Sequence, residues 1–407
     1  MTIIDRWLLP DGIEEILPDC AIKVERLRRR LLDLYHSWGY DLVIPPLAEF
    51  TESLLSGSGL DLDLMTFKIT DQLSGRMMGV RADITPQAAR MDAHSIQRNG
   101  PNRLCYASQV LYTRARGPLE SRSPIQLGIE LFGEASLEAD IEVLSLLVET
   151  LRASGIKNIH LDLGHVGIYR GLEKVAGLDN EQSAQLFALL QRKDAGLKTW
   201  LNRNLAEQPE LVAILAALPN LAGGEDVFER AKAVLANAPA EVLTALNEVE
   251  LVFNALAQRA PDVNLFLDLS ELRGYHYHTG IVFAAYTRQS TVALGNGGRY
   301  DDVGAAFGRA RPATGFGIDL NLLAGLVEAQ QSVKAGIYVP MPEEPFDHLA
   351  LDEEVTRLRH SGERVVRGFS AQSVDYDELH CDRVLSKINS VFTVKSVAEL
   401  SLGCESE

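Results

Sequence analysis

The chain has 407 residues, 46% hydrophobic and 23% charged, with a formal net charge of −17. That length suits two or three domains of a water-soluble globular protein, and the acidic excess argues against bulk electrostatic capture of nucleic acid, which needs basic surface. No apolar run reaches the ~18 residues of a membrane span, the N-terminus lacks a secretory layout, and Cys20, Cys105, Cys381 and Cys404 form no Cys-x-x-Cys pair, so a cytoplasmic protein without membrane span, disulfide framework or structural zinc is expected.

Asp19 reads as the cap of a helix running to Trp38, with Ile22, Leu27, Leu31, Leu34, Tyr35 and Trp38 mostly on one face and Gly39 as its stop. Arg26, Arg28, Arg29 and Arg30 lie around the other faces, as a phosphate-binding surface or as the solvated face that such runs more commonly form. Residues 40–44 read as a strand closed by Pro45-Pro46, and 65–70 with 77–81 as a hairpin. Thr85 is a plausible helix cap with Pro86 at the first helical position. Residues 104–112 predict a strand, 113–124 a loop, and 125–132 a strand of strict alternation. In that last strand Gln126, Gly128 and Glu130 share one face, an arrangement packing alone would not choose. A strong amphipathic helix over 140–154 and a strand over 159–163 follow.

From about 166 to 262 Ala and Leu dominate at helical spacing, broken by Pro219, Gly223-Gly224 and Pro239. This predicts a helical insertion between two sets of strands, which resume at 263–268. Residues 272–323 then read as antiparallel strands separated by glycine turns, with Asn296-Gly297-Gly298 supplying positive φ at a reversal, and helical spacing from 320. Polar and aromatic groups crowd the first of these strands, as on a pocket floor, though an ordinary meander shares the glycines. Beyond Ala335 a small α/β domain, 335–407, is expected, with a strand at 336–340, an acidic segment, a helix over 351–360 and further strands at 364–369, 383–385 and 391–394.

Gln126 and Glu130 with Asp83 and Thr85 suit a pocket for an ammonium or imidazolium group: carboxylates favour the cation, while Gln and Thr supply directional hydrogen bonds. Arg273 suits a carboxylate or phosphate. His276 and His278, two apart on a strand, share a face; they make half of a metal site or, with no further ligand at metal spacing, serve as hydrogen-bonding groups. The phosphate loop Gly-x-x-x-x-Gly-Lys-Ser/Thr, the dinucleotide loop Gly-x-Gly-x-x-Gly and the Gly-x-Ser-x-Gly elbow are absent. Tyr300-Asp301-Asp302-Val303 has paired acids but lacks the loop that follows them in phosphoribosyltransferases.

The order of these motifs resembles the catalytic core of class II histidyl-tRNA synthetases over roughly residues 8–330. Trp38-Gly39-Tyr40 through Glu49 is similar to the dimer-forming motif 1, and Arg81 through Pro86 to the amino-acid-binding turn. Gln126 through Glu130 is similar to the end of motif 2, Arg273 through Phe283 to the histidine-specific loop, and Gly315 through Leu320 to motif 3. The resemblance implies an α+β fold: a class II aminoacyl-tRNA synthetase-like core, an antiparallel sheet flanked by helices, over 1–330. The departures fall on ATP. Where a synthetase has Phe-Arg-x-Glu in motif 2, this chain has Leu111-Tyr112-Thr113-Arg114; where motif 3 ends Gly-Leu-Glu-Arg, it has Asp319-Leu320-Asn321-Leu322. Losing one charged transition-state contact costs about 2.7–4 kcal/mol, so two such losses speak against adenylate formation.

Thr85, Gln126, Glu130, Arg273 and Tyr277 match histidine-recognition positions, while Asp83, His276 and His278 replace Glu, Asp and Tyr. Retained recognition with dismantled catalysis is similar to the regulatory-subunit family of ATP phosphoribosyltransferase. That resemblance implies a histidine-binding set of Asp83, Thr85, Gln126, Glu130, Arg273, Tyr277 and His278, with no catalytic residue, metal or cofactor. It also implies a short-form ATP phosphoribosyltransferase catalytic subunit as partner in a hetero-octamer, self-association through the motif 1-like region, feedback inhibition by histidine, and no tRNA. A divergent histidyl-tRNA synthetase is the alternative.

Overall fold

Helix α1 (Pro18–Ser37) buries Val24, Leu27, Leu31 and Tyr35 at three- and four-residue spacing. Its first turn carries Pro18, whose missing N–H is no loss there, and Asp19 lies inside that turn instead of capping it. The structure, a computed structural model, describes residues 7–56, 60–117, 120–272, 274–275, 277–327, 335–341, 348–369, 374–388 and 391–398. Contacts divide the chain into two units, Met1–Glu328 and Ala329–Glu407.

After α1 come β1 (Asp41–Leu42), β2 (Ala48–Phe50), α2 (Thr51–Leu54), α3 (Leu60–Met65), β3 (Phe67–Thr70) and β4 (Met77–Val80). The β3–β4 turn is held by Asp71, whose carboxylate accepts from the Leu73 and Ser74 amides, both at 3.2 Å. Helix α4 (Thr85–Arg90) follows. Thr85 is its first residue and Ile84 its N-cap, so the expected threonine cap is replaced by a hydroxyl turned toward Asp83. Next are β5 (Asn102–Gln109), β6 (Ile125–Phe132), α5 (Leu137–Ala153) and β7 (His160–His165). The insertion contains α6 (Val166–Ala176), α7 (Asn180–Gln191), α8 (Leu197–Asn204), α9 (Pro209–Ala217), β8 (Ala222–Gly223), α10 (Val227–Val234) and α11 (Ala240–Arg259). The unit closes with β9 (Asn264–Asp268), β10 (Ile281–Tyr286), β11 (Gly295–Arg299), β12 (Ala313–Asp319) and α12 (Leu320–Leu326).

The main sheet runs β1-β5-β6-β12-β11-β10-β7-β9-β8. Its pairs are antiparallel except β1–β5 and β7–β9. Helices α1, α5 and α12 pack with one face, where Leu127, Ile129, Leu131, Phe316 and Ile318 join Leu31, Tyr35, Leu144 and Leu147 in one apolar core. Strand alternation therefore sends Gln126, Gly128 and Glu130 to the opposite face.

Two expectations about the 272–323 stretch are corrected. The described residues among 274–280 precede a strand and are not part of it: the Tyr277 and His278 amides both donate to the Gly274 carbonyl, at 2.8 and 2.9 Å, and β10 begins at Ile281. Gly297 and Gly298 do not turn the chain. They lie inside β11, paired on one side with β10 and on the other with β12.

The second unit has the sheet order β14-β13-β15-β16, formed by β13 (Gly336–Val339), β14 (Val365–Arg367), β15 (Cys381–Ile388) and β16 (Val391–Ser396). Helix α13 (His348–His360) contributes Leu351, Val355 and Leu358 to a core with Ile337, Val339 and Leu385. The expected acidic segment falls largely outside the described residues.

Candidate functional site

Strands β5, β6 and β12 form the floor of the site. In register, Tyr106 lies opposite Gly128 and Gly128 opposite Gly317; in the next row Leu104 lies opposite Glu130 and Glu130 opposite Gly315. The glycines leave room for what lies over them. A Cβ at Gly128 would stand 2.6 Å from the Tyr106 hydroxyl, and one at Gly315 would run into the Glu130 carboxylate.

Glu130 is 1% exposed. It accepts from the Tyr106 hydroxyl at 2.9 Å on Oε1 and from the Tyr300 hydroxyl on Oε2. Burial pushes its carboxyl up to about 8, while the hydrogen bonds from Tyr300, Thr85 and Tyr106 partly offset that and the Asp83 charge adds to it. Burial and the facing carboxylate raise the Tyr106 and Tyr300 phenols well above their ordinary value, so both remain donors.

At the other end Asp83 Oδ1 gathers donors: Gln126 Nε2 at 2.7 Å, the Thr85 amide at 3.1 Å and the Thr85 hydroxyl at 3.2 Å. Gln126 Oε1 in turn accepts from the Ile84 amide at 3.0 Å. The Thr85 and Tyr106 hydroxyls are 3.4 Å apart, so one polar chain runs from Asp83 through Thr85 and Tyr106 to Glu130. The 81–85 turn is fixed by buried Arg81, which donates to the Gln109 carbonyl at 2.8 Å and the Pro45 carbonyl at 2.7 Å.

Tyr277 closes the buried end. Its ring centroid is 5.0 Å from that of Tyr300 and 5.4 Å from that of His278. The Tyr277 hydroxyl is enclosed and has no hydrogen-bond partner among the described residues. Such a group costs about 1–3 kcal/mol in desolvation unless something binds it, which marks a place for a ligand atom. His278 lies against Gly298, where a Cβ would stand 2.8 Å from its ring. Asp83, Thr85, Gln126 and Glu130 thus form one network, with Tyr277 and His278 at its buried end. Arg273 and His276 lie outside the described residues. Among the described residues no group of three His, Cys, Asp or Glu side chains could hold a metal ion, and no helix is long and apolar enough to cross a membrane.

Sequence reasoning missed Tyr106 and Tyr300. Tyr106 looked like ordinary strand alternation, and its signal was Gly128 on the paired strand, visible only once the register is known. The two positions that the resemblance aligns with arginines of a synthetase are Tyr112 and Leu322. Tyr112 is buried beneath the Arg116 guanidinium, 4.2 Å from the ring centroid. Leu322 packs against the apolar core, its amide donating to Asp319 Oδ1 at 3.1 Å.

Comparison with known proteins matches the family model described as Histidyl-tRNA synthetase to residues 12–323. The model described as ATP phosphoribosyltransferase subunit HisZ C-terminal domain matches residues 334–395. The chain is 52% identical to the ATP phosphoribosyltransferase regulatory subunit of Saccharophagus degradans, over 98% of this chain and 100% of that one. It is also 52% identical to the subunit of the same name from Pseudomonas aeruginosa, over 95% and 97%. A crystal structure titled as an ATP phosphoribosyltransferase regulatory subunit/histidyl-tRNA synthetase from Bacillus halodurans is similar at a TM-score of 0.81 and 27% identity, covering 92% of this chain and 95% of that one. Histidyl-tRNA synthetase from Nostoc sp. shares the fold at a TM-score of 0.76 and 18% identity, covering 98% and 99%. A synthetase-like core followed by that C-terminal domain, matched by such relatives from end to end, places the chain: it belongs to the family of ATP phosphoribosyltransferase regulatory subunits.

Proposed function

We propose that this chain is the catalytically silent partner of a short-form ATP phosphoribosyltransferase catalytic subunit, that it activates that subunit, and that its slot takes histidine as the feedback effector. One observation supports the reading: a polar network runs from Asp83 to Glu130, while Tyr112 and Leu322 stand where the resemblance puts phosphate-binding arginines. In this reading the α-ammonium lies at Asp83 and Gln126, and the imidazole reaches the buried end, between the Glu130 carboxylate and the orphaned Tyr277 hydroxyl. Arg273 is assigned the ligand carboxylate. The assembly is a hetero-octamer in which this chain also pairs with itself through the motif 1-like region around 38–49. Histidine acts by binding one assembly state more tightly than another, which shifts the population of states by that difference.

The test is reconstitution with a short-form catalytic chain, with activity measured with and without histidine. Glu130→Ala is expected to keep the chain folded and the partner bound while lowering histidine affinity about tenfold to a hundredfold, the range for losing a charge-assisted contact. Unchanged inhibition would place the sensing pocket elsewhere. A divergent histidyl-tRNA synthetase is the second reading, favoured by exposed Arg114 and Arg116 beside Tyr112. Histidine-dependent exchange of pyrophosphate into ATP at synthetase-like rates would establish it and remove the first.

A further inference from the structure

The segment that closes the slot is also tied to the insertion. Tyr275 lies two residues before Tyr277 and three before His278, and its side chain is directed to helices α6 and α7. Its hydroxyl donates to Glu173 Oε2. Its ring centroid is 5.1 Å from that of Tyr169, nearly edge-on, and 5.3 Å from that of Phe187. Arg170 grips the same residue twice, donating to the Tyr275 carbonyl at 2.8 Å and lying 5.1 Å from its ring centroid. On the far side, the Tyr277 and His278 amides donate to the Gly274 carbonyl and the Thr279 amide donates to the Arg299 carbonyl at 2.7 Å. A short, tightly wound turn therefore carries an insertion contact at one residue and slot contacts at the next two described ones.

We propose that Tyr275 is a positioning residue that sets the placement of Tyr277 and His278 from the helical insertion, so that a disturbance at α6 and α7 changes the slot's affinity for its cationic amino-acid ligand. The affinity part rests on the histidine reading above; the anchoring part does not. Two readouts on the full chain keep them apart: amide hydrogen exchange over 274–280 and calorimetric titration with histidine. The key variant is Glu173→Ala, half-buried on α6, bonded to Tyr275 and outside the slot. Exchange at the 277–279 amides is expected to rise about tenfold while β6 stays protected, and histidine affinity to fall about fivefold, the lower end of ordinary coupling between sites. Tyr275→Phe, which loses only the hydrogen bond, should reproduce both changes. Glu173→Gln, which keeps an acceptor, should restore both toward wild type, which a general loss of stability would not do.

Wild-type exchange in both Glu173→Ala and Tyr275→Phe overturns the anchoring. Faster exchange with unchanged histidine affinity overturns the coupling. A wild-type chain that gives no heat with histidine removes the histidine reading and with it the affinity part, and the exchange experiment still decides the anchoring.

Discussion

Buried among three tyrosines, the Glu130 carboxyl keeps its proton up to about pH 8, against an ordinary 4.5. The native chain then binds one more proton than the unfolded chain between those values. Stability from this group is therefore complete below about pH 4.5 and is lost as pH rises through about 8. At about 1.4 kcal/mol per unit, the loss reaches roughly 5 kcal/mol at pH 9. Glu130→Gln, which cannot ionise, is expected to gain stability relative to wild type between pH 5 and 9, measured by urea unfolding. A wild-type-to-Gln difference that stays constant with pH would show that the carboxyl titrates normally. The same proton bears on the ligand. Free imidazole has a pKa of about 6.5, so near pH 7 a protonated Glu130 can pass its proton to the bound ring without exchange with solvent. Titration calorimetry in two buffers of different ionisation enthalpy should find about one proton released near pH 5.5, about none near pH 7, and more than one taken up near pH 9, where the free ligand's α-amino group also has to be reprotonated. Almost no proton exchange near pH 5.5 with most of one proton taken up near pH 7 would place the imidazolium against an ordinary ionised carboxylate and not against Glu130.

Strand β11 shows what an element can conceal in its sequence. Its Asn296-Gly297-Gly298 reads as a reversal because glycine and asparagine tolerate positive φ, yet none of the three has positive φ. The glycines serve close approach: a Cβ at Gly297 would collide with the Gly315 carbonyl and stand 2.8 Å from both the Phe283 ring and the Phe316 backbone. Gly297→Ala should therefore cost about 3 kcal/mol, the upper end of overpacking. Gly325→Ala in α12, where a Cβ meets nothing within 4 Å, should be neutral or stabilise by up to about 1 kcal/mol. Equal midpoints for the two in denaturant would contradict the packing argument. Strand β6 is the opposite case. Its polar and apolar residues alternate from Ile125 to Leu131, so the strand over 125–132 was legible from the sequence, and with it the common face of Gln126 and Glu130. Asp83 and Thr85 were legible as a polar turn, but their link to Glu130 runs through Tyr106, whose place depends on the pairing of β5 with β6. Tyr277 and His278 read as strand residues because aromatic and β-branched residues follow them. What local alternation does not record is that the Tyr277 and His278 amides donate to the Gly274 carbonyl and that Tyr275 contacts α6 and α7.

At the scale of the whole chain, each of the two units has apolar clusters of its own. One pair is built from residues between Val24 and Val327, the other from residues between Ile337 and Val397. Among the described residues the first unit has a nine-stranded and a three-stranded sheet, and the second a four-stranded sheet. We therefore propose that the two unfold as separate cooperative transitions, since cooperativity follows a shared core. The candidate site lies wholly in the first unit, so a ligand that binds its native form raises that transition alone. At a hundredfold excess over Kd the stabilisation is about 2.7 kcal/mol. Differential scanning calorimetry of the full chain should show two transitions, with histidine moving one upward by a few degrees and leaving the other in place. In Glu130→Ala, the same histidine concentration should stabilise that transition by only about 0.4–1.4 kcal/mol, so that its shift is at most about half that of wild type. A single transition that histidine shifts as a whole would show that the units fold together. A shift of the smaller transition alone would place the histidine site in the second unit, away from Glu130.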